Sequence, residues 1–381
     1  MKKIILLALS FLVTANAQFD SLIFTKEMRL NGYSQEVDGT TIIFPLGDQN
    51  NDGFDDIMLY DCGDKSGYVY FGGNPIDTIA VNSIQFFDSI YVGGQIAVID
   101  INNDGINDIV ASSVFLSDSG YYYLGPIRIY YGGEVINPIP DLIFNPPPGA
   151  KSSVPIALKD FNGDGRSELV LYDGFLPFSN KQFGTFYFYN TESQFDTIPE
   201  YIITGDSVNF IALREISSSG DINGDGKTDF TILGYKGEYP LNIPFRSFYL
   251  GNANFDLQPA VTYYQEEHSF NVEQMKIIND INGDHKDDII MEDYGFYPYY
   301  YQRILLHGSF PIDTIPVAGL NTQNLGLNLR ETFSLGDVNG DGYNDFFGMD
   351  YGLYHNVKLW IGGREMPNTS GDEANKTWFG T

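Results

Sequence analysis

Six copies of one nine-residue acidic pattern, spaced 52, 60, 61, 59 and 57 residues apart and flanked by short β-branched and aromatic runs, predict an all-β chain. The expected architecture is a β-propeller of four-stranded blades, one blade per repeat. A unit near 60 residues has room for four strands, and no segment of helical period intervenes. Six repeats favour six blades, with a seven-bladed ring of which this chain holds only part as the alternative.

Residues 1–17 stand apart from the repeats. Met1-Lys2-Lys3 gives a positive start, Ile4 to Val13 an apolar run, and Ala15-Asn16-Ala17 a small-x-small cleavage site. Together these read as a signal peptide, leaving 18–381 as the propeller domain. The apolar run is too short for a membrane-spanning helix of about 20 residues, and no later segment is long and apolar enough. The expected location is secreted or at the cell surface. With the single cysteine Cys62 no internal disulfide can form, so an exported domain needs another staple. Fifty acidic residues against 21 basic ones give a net charge of −29, which opposes binding to nucleic acid or anionic lipid and favours cations.

Each repeat runs through the same elements. A strand-like run enters the acidic loop (Thr41–Leu46, Gln95–Ile99, Thr332–Leu335), and a second leaves it (Ile57–Tyr60, Leu169–Tyr172, Ile289–Met291). After a variable stretch comes an aromatic strand that usually ends in glycine: Tyr68–Gly73, Ile127–Gly133, Phe186–Tyr189, Phe248–Gly251, Ile304–Gly308 and Val357–Gly363. The fourth strand often opens with Asp-Thr-Ile, as at Asp77, Asp196 and Asp313. β-Branched and aromatic enrichment assigns all four as strands. Phe19-Asp20-Ser21-Leu22 resembles the start of a fourth strand, and 364–381 a fourth strand followed by the opening of a further repeat at Trp378-Phe379-Gly380.

The loop chemistry points to calcium, a hard cation that takes 6–8 oxygen ligands. Side chains at positions 1, 3 and 5 can converge, position 7 can offer its carbonyl, and the acid at position 9 can close the site. In the first loop these are Asp48, Asn50, Asp52, Phe54 and Asp56. The second has Asp100, Asn102, Asp104, Ile106 and Asp108, and the third Asp160, Asn162, Asp164, Arg166 and Glu168. The fourth has Asp221, Asn223, Asp225, Lys227 and Asp229, and the fifth Asp280, Asn282, Asp284, Lys286 and Asp288. The sixth has Asp337, Asn339, Asp341, Tyr343 and Asp345. Glycine at position 6 permits the positive φ that folds the loop, and His285 replaces it in the fifth copy. An EF-hand is excluded, because it needs Glu at position 12 and flanking helices. Here position 12 is Leu59, Ala111, Leu171, Ile232, Met291 and Gly348. For any one copy an Asp/Asn/Gly turn explains the residues equally well; six regular copies favour up to six calcium ions.

The six Asp-x-Asn-x-Asp-Gly-x-x-Asp/Glu loops, the Gly-Gly turns at Gly72, Gly132 and Gly362, and Phe379-Gly380 resemble the FG-GAP/VCBS repeat family, which includes integrin α-chain propellers. The resemblance spans nearly the whole of 18–381. It implies calcium loops between the first and second strands on one face of a propeller and ligands on the opposite face. The chain departs from the family in His285 and in lacking Phe-Gly in most first strands.

The stretches between second and third strands carry the candidate ligand-binding aromatics: Tyr121, Tyr122 and Tyr123; Phe175, Phe178 and Phe183; Tyr235 and Tyr239; Tyr294, Phe296, Tyr297, Tyr299, Tyr300 and Tyr301. Intervening glycine and proline suggest loops whose rings stack on sugars or anchor a protein partner; extended strands with rings packed between blades are the alternative. Catalysis has little support. His268, His285, His307 and His355 show no HExxH spacing, and Gly220–Thr228 has the wrong spacing and too many acids for a phosphate loop. The expected function is an extracellular recognition or adhesion module for a glycan or protein, as a monomer or part of a larger surface assembly. A carbohydrate-active enzyme such as a lyase, or a structural unit of a surface protein, are the alternatives.

Overall fold

A computed structural model of the chain describes residues 41–61, 65–73, 79–86, 93–116, 122–148, 150, 154–174, 183–191, 195–209, 211–237, 243–253, 257–265, 271–295, 300–309, 311, 318–321, 329–350, 357–364 and 376–378. The signal peptide, the strand start at Phe19 and the lone Cys62 lie outside these residues. Strands account for every regular element described, and none of the described residues forms a helix long and apolar enough to cross a membrane.

The strands form six antiparallel sheets, each paired in chain order. The first is β1 (Thr41–Gly47), β2 (Asp56–Asp61), β3 (Ser66–Tyr70) and β4 (Asn82–Gln85). The second is β5 (Gly93–Ile99), β6 (Asp108–Leu116), β8 (Ile127–Tyr130) and β9 (Leu142–Phe144), with the short β7 (Tyr122–Leu124) also pairing with β6. The third is β10 (Val154–Leu158), β11 (Glu168–Asp173), β12 (Thr185–Tyr189) and β13 (Tyr201–Thr204). The fourth is β14 (Ile211–Gly220), β15 (Asp229–Lys236), β16 (Ile243–Tyr249) and β17 (Val261–Tyr264). The fifth is β18 (Asn271–Ile278), β19 (Asp288–Gly295), β20 (Tyr300–Leu306) and β21 (Ala318–Asn321). The sixth is β22 (Leu329–Gly336), β23 (Asp345–Asp350), β24 (Val357–Trp360) and β25 (Lys376–Trp378). This is the all-β, propeller-like pattern that the repeats predict.

Residue type explains the role of each strand. Second strands such as Glu168–Asp173 are buried along almost their whole length, as continuous apolar runs are when both faces of a sheet are covered. The third strand Thr185–Tyr189 buries Phe186 and Phe188 and leaves Thr185 and Tyr187 half-buried, whereas Ile243–Tyr249 is buried from Phe245 to Tyr249. Fourth strands are the most exposed, as along Tyr201–Thr204. Pro45 and Pro155 both fall in first strands, at a sheet edge, where a missing N–H costs no ladder bond.

Two details differ from expectation. Asp196 precedes the fourth strand instead of opening it, because its carboxylate accepts the backbone N–H of Ile198 and turns the chain before Tyr201. Trp378, expected at the opening of a further repeat, is the last residue of β25, the fourth strand of the sixth sheet, and Phe379 and Gly380 lie outside the described residues.

The described residues divide into two compact units. The first holds 41–159 and 165–205. Its core joins the first and second sheets through Met58, Tyr60, Phe86, Ile109 and Tyr130, and the second and third through Ile99, Ile129, Phe144, Leu171 and Tyr189. The second unit holds 160–164 and 206–378. There Ile222, Phe248, Met275, Ile277 and Ile289 pack the fourth sheet on the fifth. Cross-strand aromatic pairs stack within it, Phe230 on Tyr249 at 4.9 Å and Phe346 on Trp360 at 5.2 Å. Each such pair contributes about 0.5–1.5 kcal/mol beyond its burial.

Replacing the fully buried Phe248 by alanine should destabilise the fold by about 3–5 kcal/mol. Urea unfolding measures this, and a midpoint unchanged from wild type contradicts the packing described.

Candidate metal centre

All six acidic loops join the first strand of a sheet to its second, so strands flank them on both sides. The loops fold by satisfying their own donors. Asp48 Oδ1 and Oδ2 accept the N–H groups of Asp52 and Gly53 at 3.0 and 2.8 Å. Asn50 Oδ1 accepts Asp52 N–H at 3.0 Å, and Asp52 Oδ1 accepts Phe54 N–H at 2.9 Å. The same three steps recur at Asp100, Asn102 and Asp104 with Ile106, and at Asp221, Asn223 and Asp225 with Lys227. They recur again at Asp280, Asn282 and Asp284 with Lys286, and at Asp337, Asn339 and Asp341 with Tyr343. In the third loop Gly163 N–H donates to Asp160, and Asp164 N–H to Asn162.

His285 keeps the fold of the fifth loop. Its φ of 67° matches the glycines at position 6, and its N–H still reaches Asp280 Oδ2 at 2.8 Å. Position 4 is a second left-handed residue that the sequence reading missed: Asn51 and Asn103 in the first two loops, Gly163, Gly224, Gly283 and Gly340 in the rest. Asparagine and glycine are the residues that tolerate this conformation, and their alternation at position 4 was the available signal.

The acid at position 9 has a larger role than closing an oxygen cage. Asp56, Asp108, Asp229, Asp288 and Asp345 are fully buried. One carboxylate oxygen accepts the N–H of position 2 of the same loop, from Gln49, Ile101, Ile222, Ile281 and Val338 at 2.8–3.0 Å. The other accepts the N–H of the glycine after the third strand, Gly72, Gly132, Gly251, Gly308 and Gly362, at 2.6–2.8 Å. Burial pushes Asp108 and Asp229 up to about 7, against the pull of these two bonds. Asp56, Asp288 and Asp345 are raised for the same reason.

The glycines are required because a Cβ on Gly72, Gly132, Gly308 or Gly362 would run into the backbone oxygen of position 8. Position 8 itself was missed by sequence reasoning. Its N–H donates to the position-1 carbonyl of the preceding loop, from Thr228 to Asp160, Asp287 to Asp221 and Asn344 to Asp280. In the first unit the side chain of Asn107 reaches the Leu46 carbonyl, and Gln49 bridges Leu46, Asn107 and Gly133.

The donor set fits a hard cation best in the third loop. One carboxylate oxygen from each of Asp160, Asp164 and Glu168 lies within 4.8 Å of the others, and an ion with ligands at about 2.3–2.6 Å holds its oxygens at most about 5 Å apart. Glu168 occupies position 9 with one methylene more than aspartate. Among the described residues no other trio of acidic or histidine side chains converges in this way. In four loops the position-3 amide turns its nitrogen to the position-5 carboxylate, as from Asn50 to Asp52, Asn102 to Asp104, Asn162 to Asp164 and Asn339 to Asp341. A half-turn of that amide presents its oxygen instead. Of the position-7 side chains, Arg166 donates to the Thr191 carbonyl, whereas Lys227 pairs at 3.6 Å with Asp225, the position-5 acid of its own loop.

Of the candidate ligand-face aromatics, Tyr122 and Tyr123 fall on β7, Tyr235 on β15, Tyr294 on β19, and Tyr300 and Tyr301 on β20. The strands therefore run further than glycine and proline suggested, with Tyr294 paired opposite Tyr301. Arg214 lies over the Tyr235 ring at 5.5 Å. Tyr121, Phe175, Phe178, Tyr239, Phe296, Tyr297 and Tyr299 lie outside the described residues.

No protein-family description and no curated protein sequence matches the chain. Among solved structures it is similar to BBS1N in complex with ARL6DN, soaked with mercury, at 11% identity and TM-score 0.38 over 87% of this chain and 93% of that one. The lead-soaked form gives a TM-score of 0.37 over the same shares. A eukaryotic initiation factor is 7% identical, with TM-score 0.37 over 92% of each chain. At these scores the likeness assigns neither a family nor a function.

Two substitutions test the loop. Asp108→Ala strands two buried N–H groups at a cost of about 1–3 kcal/mol each, so calcium-free protein should lose roughly 3 kcal/mol in urea unfolding, and Asp108→Asn less. His285→Gly removes a left-handed non-glycine residue worth about 1–2 kcal/mol, of which chain entropy takes back about 0.4–1. A small rise in melting temperature is expected, and a fall contradicts the assigned backbone.

Proposed function

We propose that the chain is an exported, calcium-binding propeller of the FG-GAP/VCBS kind, its six sheets closing as six blades, that acts as a non-catalytic recognition or adhesion module for an extracellular glycan or protein. The observation that carries the metal reading is the convergence of Asp160, Asp164 and Glu168 in a loop whose sequence pattern and place between first and second strands the other five share. Acids at positions 1 and 5, the amide at 3 and the carbonyl at 7 would hold the ion. The position-9 aspartates spend one lone pair of each oxygen on backbone N–H groups and keep another. Calcium would supply positive charge to loops whose carboxylates otherwise repel, in a chain of net charge −29.

The recognition reading draws on topology. The second strand of each sheet ends, and the third begins, at the end opposite the acidic loops, and at that end of β19 and β20 Tyr294 is paired with Tyr301. Such rings on a rigid scaffold suit sugars or a protein surface. Export and extracellular location rest on the pattern of residues 1–17.

Calcium titration by calorimetry should show several sites, and excess EGTA should lower the melting temperature markedly, since each site filled at 100 times its Kd adds about 2.7 kcal/mol. An unchanged melt in EGTA removes calcium from the account. Glu168→Gln should weaken one site without unfolding the calcium-free chain. For the partner, glycan-array binding without product release supports recognition, and release of cleaved polysaccharide overturns it.

A further inference from the structure

The third repeat differs from the other five at three neighbouring places. Position 9 is Glu168 where the others have aspartate, Thr191 replaces the glycine after the third strand, and the residue before it is Asn190. The residues equivalent to Asn190 are Phe71, Tyr131, Leu250, His307 and Ile361. Thr191 is buried, and its hydroxyl donates to the position-8 carbonyl of Ser167 at 2.7 Å. In the other sheets that carbonyl is the atom a Cβ would strike. Here a side chain bonds to it and ties the end of β12 to the loop, and Arg166 Nη1 donates to the Thr191 carbonyl at 3.3 Å.

The ladder sets Asn190 across from Glu168. Leu169 pairs with Tyr189 between β11 and β12, so the next pair toward the loop is Glu168 and Asn190. Residues directly opposed in an antiparallel pair project from one face, with Cβ atoms about 4.5–5.5 Å apart. Two sister repeats show what this side chain faces. In the fifth, Ile289 pairs with Leu306, and the next pair brings His307 Nδ1 to 3.4 Å from Asp288 Oδ1. In the second, Ile109 pairs with Tyr130, and the hydroxyl of the following Tyr131 is pushed up by burial and by the charges of Asp108, Asp141 and Asp104. The residue before the clamp thus faces position 9 of its own loop.

Asn190 is half-buried, but its Oδ1 is shut off from solvent and accepts no hydrogen bond among the described residues. A buried amide oxygen without a donor is unfavourable. Across from a carboxylate an amide gains most by burying its N–H, as the position-3 asparagines turn theirs to position 5. Asn190 buries its oxygen instead, opposite an almost fully buried Glu168 that converges with Asp160 and Asp164. Three carboxylates and an amide oxygen without a donor favour a positive charge among them, and calcium takes 6–8 such oxygens. We propose that Asn190 Oδ1 is a further ligand of the ion in the third loop, supplied by the third strand from outside the nine-residue pattern. This rests on reading the loops as calcium sites, and it makes the third site the tightest of the six.

The test uses the full chain with Ca2+ as probe. Leu250 already fills the equivalent place in the fourth sheet, so Asn190→Leu should fold. In EGTA its melting temperature should equal or exceed that of wild type, because a buried oxygen without a donor is gone; a fall assigns Asn190 a structural role and overturns the proposal. Calorimetry should show the tightest calcium equivalent weakened about tenfold or more in this variant, since even an outer partner of a metal ligand is worth about 10–100-fold. The remaining equivalents should be unchanged, and an isotherm identical to wild type overturns the proposal. Asn190→Asp keeps the oxygen and adds charge: its melting temperature in EGTA should drop through repulsion from Glu168, while the site retains or gains affinity for calcium. Wild-type crystals soaked in Ca2+ give a readout that needs no variant. An ion in the third loop with Asn190 Oδ1 at about 2.3–2.6 Å is expected, and an ion there with Asn190 turned away sinks this ligand while leaving the calcium reading intact. Absence of calcium uptake by every loop sinks both, so the two failures are distinguishable.

Discussion

The carboxylate at position 9 is the constraint on which each repeat depends. In five copies an aspartate with no solvent exposure accepts one N–H from the start of its own loop and one from the glycine after the third strand. Taking a carboxylate out of water is costly, and the price is met only if its lone pairs find donors. Backbone N–H groups are the donors available, which fixes the loop, the second strand and the end of the third strand to one another. The glycine follows from the same geometry, since any Cβ there would collide with the position-8 carbonyl. Aspartate and glycine thus form one structural device although 16 to 24 residues separate them.

The loops also hold neighbouring sheets together. Within the second unit, position 8 of one loop donates to position 1 of the loop before it, at Thr228, Asp287 and Asn344. The position-7 side chain then lies over the position-4 glycine of that preceding loop: Lys227 over Gly163, Lys286 over Gly224 and Tyr343 over Gly283. A Cβ on Gly283 would lie 2.7 Å from the Tyr343 ring. Position 4 therefore faces two demands, a left-handed backbone and close approach by the next loop, and glycine meets both. A cation in one loop would order the main-chain carbonyl to which the next loop is tied, and ion binding as proposed would then be linked to packing through the same few atoms.

This explains which parts were legible in the sequence. Strand identity, strand order and the acidic loops follow from local residue choice and from spacing, and the structure reproduces their order, with bounds that agree closely at Thr41–Gly47 and begin several residues earlier than expected at Ile243–Tyr249 and Tyr300–Leu306. The clamp was only half legible. The paired Asp and Gly positions were visible as a recurring pattern, but their hydrogen bonds join atoms that chain order separates, and no local rule predicts them. Gln49, Asn107 and His307 act across strands or sheets and resemble ordinary polar residues in the sequence. The fourth strands were misplaced by a few residues because Asp196 forms an Asx turn just before the ladder begins. The aromatic stretches left two readings open, loops marked by glycine and proline or strands that extend further, and cross-strand pairing of Tyr294 with Tyr301 carries the β19–β20 ladder further.

The two tasks of position 9 also compete. An aspartate held at both oxygens by backbone donors is drawn toward the sheet and away from the acids at positions 1 and 5. Only the third loop brings a third carboxylate within 4.8 Å among the described residues, and only that loop has glutamate at this position. The extra methylene lets a buried side chain carry its charge back toward Asp160 and Asp164. In the aspartate loops the remaining ligands must come from the amide at position 3, the carbonyl at position 7 and water, which lowers the formal charge of the cage. Since ligand charge count and rigidity set calcium affinity over several orders of magnitude, calcium held as proposed would find sites of graded strength in one nine-residue pattern. The residue that would set the grade is the one whose first duty is to hold the sheet together.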